Sequence, residues 1–421
     1  MDEGRKTRFT ARSRKLLASI CLIALAFAFG GCQTFGYYGQ AIRGEYQILS
    51  HREPIQKLIA EPRTAPELRE KLQLILQLRQ FAKDSLHLPA DDQYLRYVDL
   101  HRPFVVWNVH AAPEFALEPK TWWYPFVGSL KYRGYFSEAG ARRYASSIEK
   151  KGWQVYVEGV EAYSTLGWFK DPLLNTFIFE PAPQLAETLF HELAHQRVFI
   201  SGDTDFNEAF ATAVGEEGVR RWLQPADNQN LLTPTGQEAK NALDGTSNPG
   251  VRASKDYEQY LAALQRNEQF VRIIMDAREK LDHVYKSAQL KPGKPSAPGM
   301  SPTEIARLRQ QKELVITELR QDYARLKAEW NGRSDYDHWF AQSLNNAQLN
   351  TVAAYYDLVP GFRALLRKNN GDLEKFYREV SGLGKLQKDE RRRIVKAAAE
   401  GLAERADSQT AGASPPPTRG E

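Results

Sequence analysis

Two histidines four residues apart, with a glutamate directly after the first, form the clearest chemical signal in this chain. The segment reads His191-Glu192-Leu193-Ala194-His195. Residues at positions i and i+4 lie on one face of a helix, so both imidazoles can bind one ion. Glu192 projects beside them and can take a proton from a water that the ion activates. The motif predicts a metal site with Glu192 as general base; the alternative is a histidine pair on a helix surface.

Glu208 follows the histidine pair across a glycine-containing turn and is the candidate third ligand. Catalytic zinc takes three protein ligands and leaves one position for water. Two helices joined by this turn can pack antiparallel, which would bring Glu208 opposite His191 and His195. Taken alone, Asp205 and Glu208 also have the form of a capping box at a helix start. Beside the histidine pair the ligand interpretation is favoured, and the predicted cofactor is Zn²⁺.

If the activated water attacks a carbonyl group such as that of a peptide bond, the reaction also needs a hydrogen-bond donor for the oxyanion, commonly a tyrosine or a histidine. Tyr132 and Tyr135 are the catalytic candidates for this role, and Tyr355 and Tyr356 are further ones. For each tyrosine the alternative is a core residue with a hydrogen-bonded hydroxyl. The remaining histidines show no ligand spacing and are interpreted as structural: His51, His87, His101, His110, His283 and His338.

The start of the chain has the layout of a secretory signal, with basic residues before an apolar run from Leu16 to Phe29. This run is shorter than the ~17–25 residues that a membrane-spanning helix needs. Phe29-Gly30-Gly31-Cys32 resembles the bacterial lipobox, which implies acylation of Cys32. Gln33 follows in place of the Asp that retains lipoproteins in the inner membrane. The pattern therefore predicts an outer-membrane lipoprotein that faces the periplasm; the alternative is a plain signal peptide or an uncleaved anchor.

Most of the formal net charge of +5 belongs to this leader, where basic residues outnumber acidic ones. The rest of the chain is nearly neutral, so its charge gives no support for nucleic-acid binding. The chain has two cysteines, which excludes a disulfide-stapled scaffold and an all-cysteine metal site. Cleavage before Cys32 would remove Cys21, and acylation would consume Cys32, which excludes cysteine catalysis.

Hydrophobic periodicity and turn residues predict the elements that position these groups. The predicted fold class is α+β and predominantly α-helical. The predicted regions are a signal peptide (1–31), an N-terminal helical segment (32–100), a catalytic core (101–224), a helical C-terminal region (225–405) and a disordered tail (406–421). Within the core, strands are predicted at 104–107, 154–157 and 175–179, and helices at 184–200 and 206–223.

The pairing of HExxH with a following NExxA helix resembles the gluzincin metallopeptidases. Over residues 35–400 the sequence resembles a bacterial family of predicted zinc aminopeptidases, often lipoproteins. The segments that carry this resemblance are HELAHQ, GDTDFNEAFATAVGEEG, AYSTLGWFKDP and LNNAQL. The resemblance implies a zincin-like core with a small β-sheet and a helical surround. It also implies zinc on His191, His195 and Glu208. Thr212 stands where gluzincins place an Asp that orients a histidine, so that role must be absent or fall to Glu216.

The same resemblance implies a substrate-binding edge strand shortly before the metal helix, formed by Tyr163, Ser164, Thr165, Leu166 and Gly167. An alternative of equal weight is a structural turn with buried aromatic residues. An aminopeptidase further needs an acidic group for the substrate ammonium. Glu158, Glu161 and Glu216 are candidates that the sequence does not rank.

The predicted function is a zinc-dependent peptidase of the cell envelope, with aminopeptidase activity favoured. Its expected partners are a peptide substrate and the membrane, through a lipid anchor at Cys32. One alternative is an envelope metallo-endopeptidase. The other is a non-enzymatic helical lipoprotein scaffold or peptide-binding module that keeps a vestigial metal motif.

Overall fold

The computed structural model describes residues 32–125, 127–162, 165, 170–224, 249–288 and 300–411. The chain divides after His51 into two compact units. In the first unit the described residues form helix α1 (Cys32–Ser50), which begins at the predicted acylation site. The predicted signal peptide lies outside the described residues. None of the described helices combines the length and the apolar character needed to span a bilayer.

The second unit confirms the predicted α+β class with helices in the majority. Its first part contains β1 (Glu53–Pro54), α2 (Ile55–Ala60), α3 (Pro66–Asp84), β2 (Arg96–Val98), β3 (Val106–Pro113), β4 (Trp122–Tyr124), β5 (Gly128–Leu130), β6 (Tyr132–Tyr135), α4 (Glu138–Glu149), β7 (Trp153–Val160) and β8 (Leu173–Leu174). Helices follow as α5 (Ala182–Arg197), α6 (Thr204–Leu223), α7 (Pro249–Ser287), α8 (Pro302–Glu329), α9 (Asp337–Phe340), α10 (Asn346–Tyr356), α11 (Val359–Lys368), α12 (Leu373–Leu383) and α13 (Lys388–Ala411).

The described strands form three small sheets. In one three-stranded sheet, β3 lies between β6 and β7 and is antiparallel to both. The predicted strands at 104–107 and 154–157 correspond to β3 and β7. In the second sheet, β2 pairs antiparallel with β1 and parallel with β8, while β4 and β5 form a hairpin.

The predicted strand at 175–179 is wrong, because these residues form a turn after β8. The side chain of Asn175 accepts a hydrogen bond from Leu100 N and donates one to Arg102 O. Phe177 and Ile178 are buried within this turn, and Ile178 N donates to Leu174 O. Local side-chain hydrogen bonding and core burial therefore prevail over the β propensity of the segment.

Helices α5 and α6 form an antiparallel hairpin that is buried on almost every side. On α5, Leu185, Leu189, Phe190 and Leu193 are fully buried. A helix whose side chains are apolar or small on every face needs packing neighbours on every face. Here the neighbours come from both ends of the unit, because α3 packs on α5 while α10 and α11 pack on α6. The predicted boundaries after residues 100 and 224 consequently fall inside one compact unit.

The C-terminal helices build a second cluster and then return to α6. Helices α7 and α8 pair through buried aromatic and aliphatic side chains, including Phe270, Leu281, Leu319 and Tyr323. Helix α11 packs against both α6 and α13. Helix α13 continues to Ala411, so it extends beyond Ala406, where a disordered tail is predicted. Residues 412–421 lie outside the described residues.

Gly361 lies where α11 and α13 approach each other closely, and a substitution at this position tests that packing. A Cβ atom at this position would lie 2.1 Å from the backbone oxygen of Val395. We expect Gly361→Ala to lower the free energy of unfolding by about 1–3 kcal/mol, because backbone must move to relieve the clash. The matched control is Gly382→Ala on α12, where a Cβ meets nothing within 4 Å. We expect the control to raise stability by about 0.5–1 kcal/mol. Urea unfolding measures both, and equal effects would contradict this packing.

Candidate active site

The hairpin of α5 and α6 brings His191, His195 and Glu208 together. The two imidazole Nε2 atoms are 3.1 Å apart. The Glu208 Oε2 atom lies 3.3 Å from His191 Nε2 and 3.5 Å from His195 Nε2. Tetrahedral zinc with bonds of ~2.0–2.1 Å separates its ligand atoms by about 3.3–3.4 Å. The three side chains therefore fit such an ion, and they are the one group in the described part of the chain whose ligand atoms converge in this way.

The turn between the helices is fastened by Asn207, the residue directly before the glutamate. Its Oδ1 atom accepts a hydrogen bond from Ile200 N at 2.9 Å, and its Nδ2 atom donates to Ile200 O at 2.8 Å. Gly202 within the turn has φ +78°, a conformation that favours glycine. The sequence motif contains Asn207, but nothing local in the sequence assigns it this clamping role.

The capping-box alternative for Glu208 is wrong. Helix α6 begins after Asp203, whose side chain makes no capping hydrogen bond. Asp205 pairs with Lys131 at 2.6 Å and with Arg392 at 2.9 Å. The carboxylate of Glu208 is consequently directed at the histidines rather than at the end of its own helix.

Charge interactions among the three side chains keep Glu208 ionised. Burial by itself raises the pKa of Glu208, but attraction and hydrogen bonding from His195 and His191 outweigh it and hold the pKa well below its usual range. For His195, burial lowers the pKa, and the nearby Glu208 charge more than offsets this, so the net shift is upward. The Nδ1 atom of His195 is buried and makes no hydrogen bond in the described part of the chain.

Glu216 does not orient a histidine. Its Oε2 atom accepts hydrogen bonds from Arg363 at 2.7 and 3.0 Å. Thr212, which occupies the position of the usual orienting Asp, makes no side-chain hydrogen bond among the described residues although it is 5% exposed. Neither sequence candidate therefore supplies the expected outer partner of a histidine ligand.

Glu192 is buried beside the triad, with 8% of its surface exposed. Burial raises the pKa of its carboxyl group, and the two neighbouring histidines act in the opposite direction. Glu192 lines a cavity of about 370 Å³ together with His191, Glu161, Glu180, Glu187 and Tyr355. We call this space the acidic cavity. The candidate general base therefore faces an open space that a substrate can enter.

A smaller pocket lies on the Glu208 side of the triad and is lined by His110, Lys131, Tyr132, Glu208, Asn350 and Tyr355. Its volume of about 20 Å³ suits one water-sized molecule. Tyr355 borders both spaces, and its ring centroid is 6.2 Å from that of His191. The charge of Glu208 first, and then burial, raise the pKa of Tyr355 well above its usual value. Its phenol consequently stays protonated and can donate a hydrogen bond.

The structure separates the tyrosine candidates. Tyr132 on β6 lies at the small pocket, directly opposite His110 on the neighbouring strand β3. Tyr135 stands three residues further along the strand, on the opposite face, with its ring 5.6 Å from that of Tyr144. Tyr356 lines the acidic cavity. Tyr132, Tyr355 and Tyr356 are therefore brought to the site, and Tyr135 is not.

The predicted substrate strand can be described only at Thr165. Its backbone N and its Oγ1 atom both donate to Asp171, at 3.1 and 2.5 Å. Asp171 N in turn donates to Gln93 Oε1. These bonds favour the structural-turn alternative at this residue. Tyr163, Ser164, Leu166 and Gly167 lie outside the described residues.

His110 is a site residue that the sequence interpretation missed. It sits on β3, with its Nε2 atom 3.4 Å from Glu158 Oε2 and its ring 5.9 Å from that of Tyr132. The signal in the sequence is weak but present: Asn108 and His110 are alternate polar residues in an otherwise apolar strand. A strand pattern alone gives the face of the side chain, not the element that this face meets.

A family model described as "Putative aminopeptidase" matches residues 36–395. This chain belongs to that family. Its members are named for the hydrolysis of peptides from the amino end, so membership assigns the chain a peptide-hydrolysing class and a peptide substrate. No significant match was found among curated proteins, and none among solved structures.

Glu187 gives this aminopeptidase-family protein a pH-dependent stability. Burial first, and then the charge of Glu216, raise the pKa of Glu187 from 4.5 to about 8. The folded chain therefore holds a proton that the unfolded chain releases, and the free energy of unfolding falls as pH rises from about 4.5 to about 8. We expect Glu187→Gln to remove this fall, so that the variant gains relative stability at pH 8.5 over pH 5. Urea unfolding of both proteins at the two pH values measures it; parallel curves would contradict it.

Proposed function

We propose that this chain is a zinc-dependent aminopeptidase of the bacterial cell envelope, built on a zincin-like core. The observation that carries the proposal is the convergence of His191 Nε2, His195 Nε2 and Glu208 Oε2 at separations of 3.1–3.5 Å. Glu192 lies next to this triad on the wall of an open cavity. Family membership supports the peptide substrate.

The donor set suits zinc, because two imidazoles and one carboxylate leave a fourth position open. Zinc bound there would supply an activated water and a polarised carbonyl group. Glu192 would hold that water, take its proton and pass it to the leaving amine. Tyr355 and Tyr132 would donate hydrogen bonds to the carbonyl oxygen as negative charge develops on it.

Glu192→Gln tests the general-base role. We expect the rate of peptide hydrolysis to fall by about 10²–10⁴-fold, because an amide cannot accept the proton. Zinc content, measured by elemental analysis, should stay at about one ion per chain because the three ligands remain. Glu208→Ala is the companion variant and should lose the zinc. A fully active Glu192→Gln protein, or a wild-type protein that binds no zinc, would refute the proposal.

Tyr355→Phe tests the oxyanion donor. Loss of one donor is expected to lower kcat by about 10²–10³-fold with little change in KM. Tyr132→Phe is expected to lower kcat as well. Tyr135→Phe should keep the wild-type kcat, because its ring lies on the other face of the sheet. Steady-state kinetics on one peptide distinguishes these variants, and a selective loss in Tyr135→Phe would overturn the assignment.

We also propose that Cys32 carries the lipid anchor that holds the enzyme at the outer membrane. The basis is the signal-like leader and the small residues before Cys32. Labelling of growing cells with a radioactive fatty acid is expected to mark the wild-type protein and not Cys32→Ser. Equal labelling of the two would refute the anchor.

A further inference from the structure

We infer that the acidic cavity beside the triad is a subsite for an ammonium group of the substrate, held by Glu161, Glu180 and Glu187. This inference rests on the proposed peptidase function, because it assigns the part of the substrate that lies next to His191 and Glu192. The three carboxyl groups come from separate places: the end of β7, the segment before α5, and α5 itself, one helical turn before His191.

Positive side chains do not line the described wall of this cavity. Among the described residues on its wall, none is a lysine or an arginine. Lys71, whose charge acts on Glu180, donates to the backbone oxygen of Glu180 rather than to its carboxylate. The nearby cation Arg363 is committed to Glu216 and Glu268. The carboxyl groups that face the cavity therefore lack an ion-pair partner among the described residues of its wall.

Glu180 and Glu187 each accept a hydrogen bond from a neutral hydroxyl group, and Glu180 is also hydrogen bonded to the carboxyl group of Glu161. Glu180 Oε2 accepts from the Thr188 hydroxyl at 3.2 Å, and Glu187 Oε2 accepts from the Tyr260 hydroxyl at 3.1 Å. Burial, then the nearby Glu161, raise the pKa of Glu180 to about 7. A cation in the cavity would stabilise the ionised forms of these groups.

Two buried polar side chains on the same wall point to a polar ligand independently of the three carboxylates. Thr212 is 5% exposed and Glu192 is 8% exposed, and both line the acidic cavity. Neither side chain makes a hydrogen bond to another described residue. Buried polar groups are normally hydrogen bonded, so these two are positioned for a substrate that completes their partners.

The geometry favours an ammonium group over a second metal ion. A metal ion draws its ligands to bonds of about 2.0–2.6 Å, and His191, His195 and Glu208 satisfy such a requirement. In the described part of the chain, Glu161, Glu180 and Glu187 do not form another group of this kind. An ammonium group makes longer hydrogen bonds of about 2.7–2.9 Å and accepts more widely spaced carboxylates.

This assignment ranks the acidic residues that the sequence leaves equal. Glu161 lines the cavity, whereas Glu158 lies beside His110 and Glu216 is paired with Arg363. An ammonium group next to Glu192 can be the N-terminus of the peptide or the side chain of a lysine. The two sources share the same chemistry and are separated by the experiment.

The first arm measures binding without turnover, in the zinc-loaded Glu192→Gln protein. Isothermal calorimetry compares alaninamide, N-acetylalaninamide and N-acetyllysinamide. We expect alaninamide to bind at least about tenfold more tightly than N-acetylalaninamide, because only the former offers an α-ammonium group. Adding Glu187→Gln or Glu161→Gln should abolish this preference. A preference for N-acetyllysinamide instead would identify a lysine side chain as the source. Equal binding of all three probes, or no binding of any, would overturn the subsite.

The second arm measures hydrolysis by the zinc-loaded wild-type protein on peptides of one sequence with free or acetylated N-termini. We expect Glu161→Gln and Glu187→Gln to raise KM for the free peptide by roughly tenfold with a smaller change in kcat. Glu138→Gln, on the distant helix α4, is the matched control and should behave as wild type. Equal cleavage of free and acetylated peptides would overturn the subsite and leave a zinc peptidase of endopeptidase type. A wild-type protein without zinc and without activity would instead refute the proposed function, and the binding arm, run on the protein without zinc, would still decide the subsite.

Discussion

A buried carboxylate needs partners of opposite charge, and the pairing of Glu208 with two imidazoles sets the geometry on which the rest of the unit depends. Because the histidines lie one turn apart on α5, Glu208 can meet both only if α6 returns antiparallel at close range. Gly202 allows the sharp return, and Asn207 clamps it through both of its amide atoms. The geometry of this one helical hairpin therefore determines the relative positions of Glu208, His191 and His195.

The start of α6 is held from outside the hairpin by further buried ion pairs. Asp203 meets Arg391 at 2.7 Å with both side chains almost fully buried. Asp205 meets Lys131, from the segment between β5 and β6, and Arg392 from α13. These contacts connect the segment between β5 and β6, and helix α13, to the start of the helix that carries Glu208. Removing one partner of such a pair would leave an uncompensated charge in the interior, so the pairs restrict how α6 can shift.

The surroundings of the triad are chemically divided. On the Glu208 side, the small pocket carries the hydroxyl groups of Tyr132 and Tyr355, which can donate hydrogen bonds, and the imidazole of His110. On the Glu192 side, the acidic cavity carries carboxylates. A peptide bond placed between the two would have its carbonyl oxygen near donors and a positive group near acceptors. This polarity follows from the approach of α10 and β3 on one side and of α5 and the residues after β7 on the other.

The sequence by itself determined the elements whose information is local. The i, i+4 spacing of His191 and His195 placed two candidate metal ligands on one face of a helix predicted at 184–200, and the helix is found at Ala182–Arg197. The α+β class and most of the helices follow in the same way from periodicity. Tertiary structure decided everything that needs contact across the chain. Because of these contacts, residues 175–179 form a buried turn and not a strand, and Glu216 pairs with Arg363. His110 and Tyr355 lie near the triad, whereas Tyr135 lies on the opposite face of its sheet. The physical reason is that a pattern of three or four residues records which face a side chain occupies. Only the packing of distant helices and strands determines what that face meets, and hence which carboxylates are left to face a substrate.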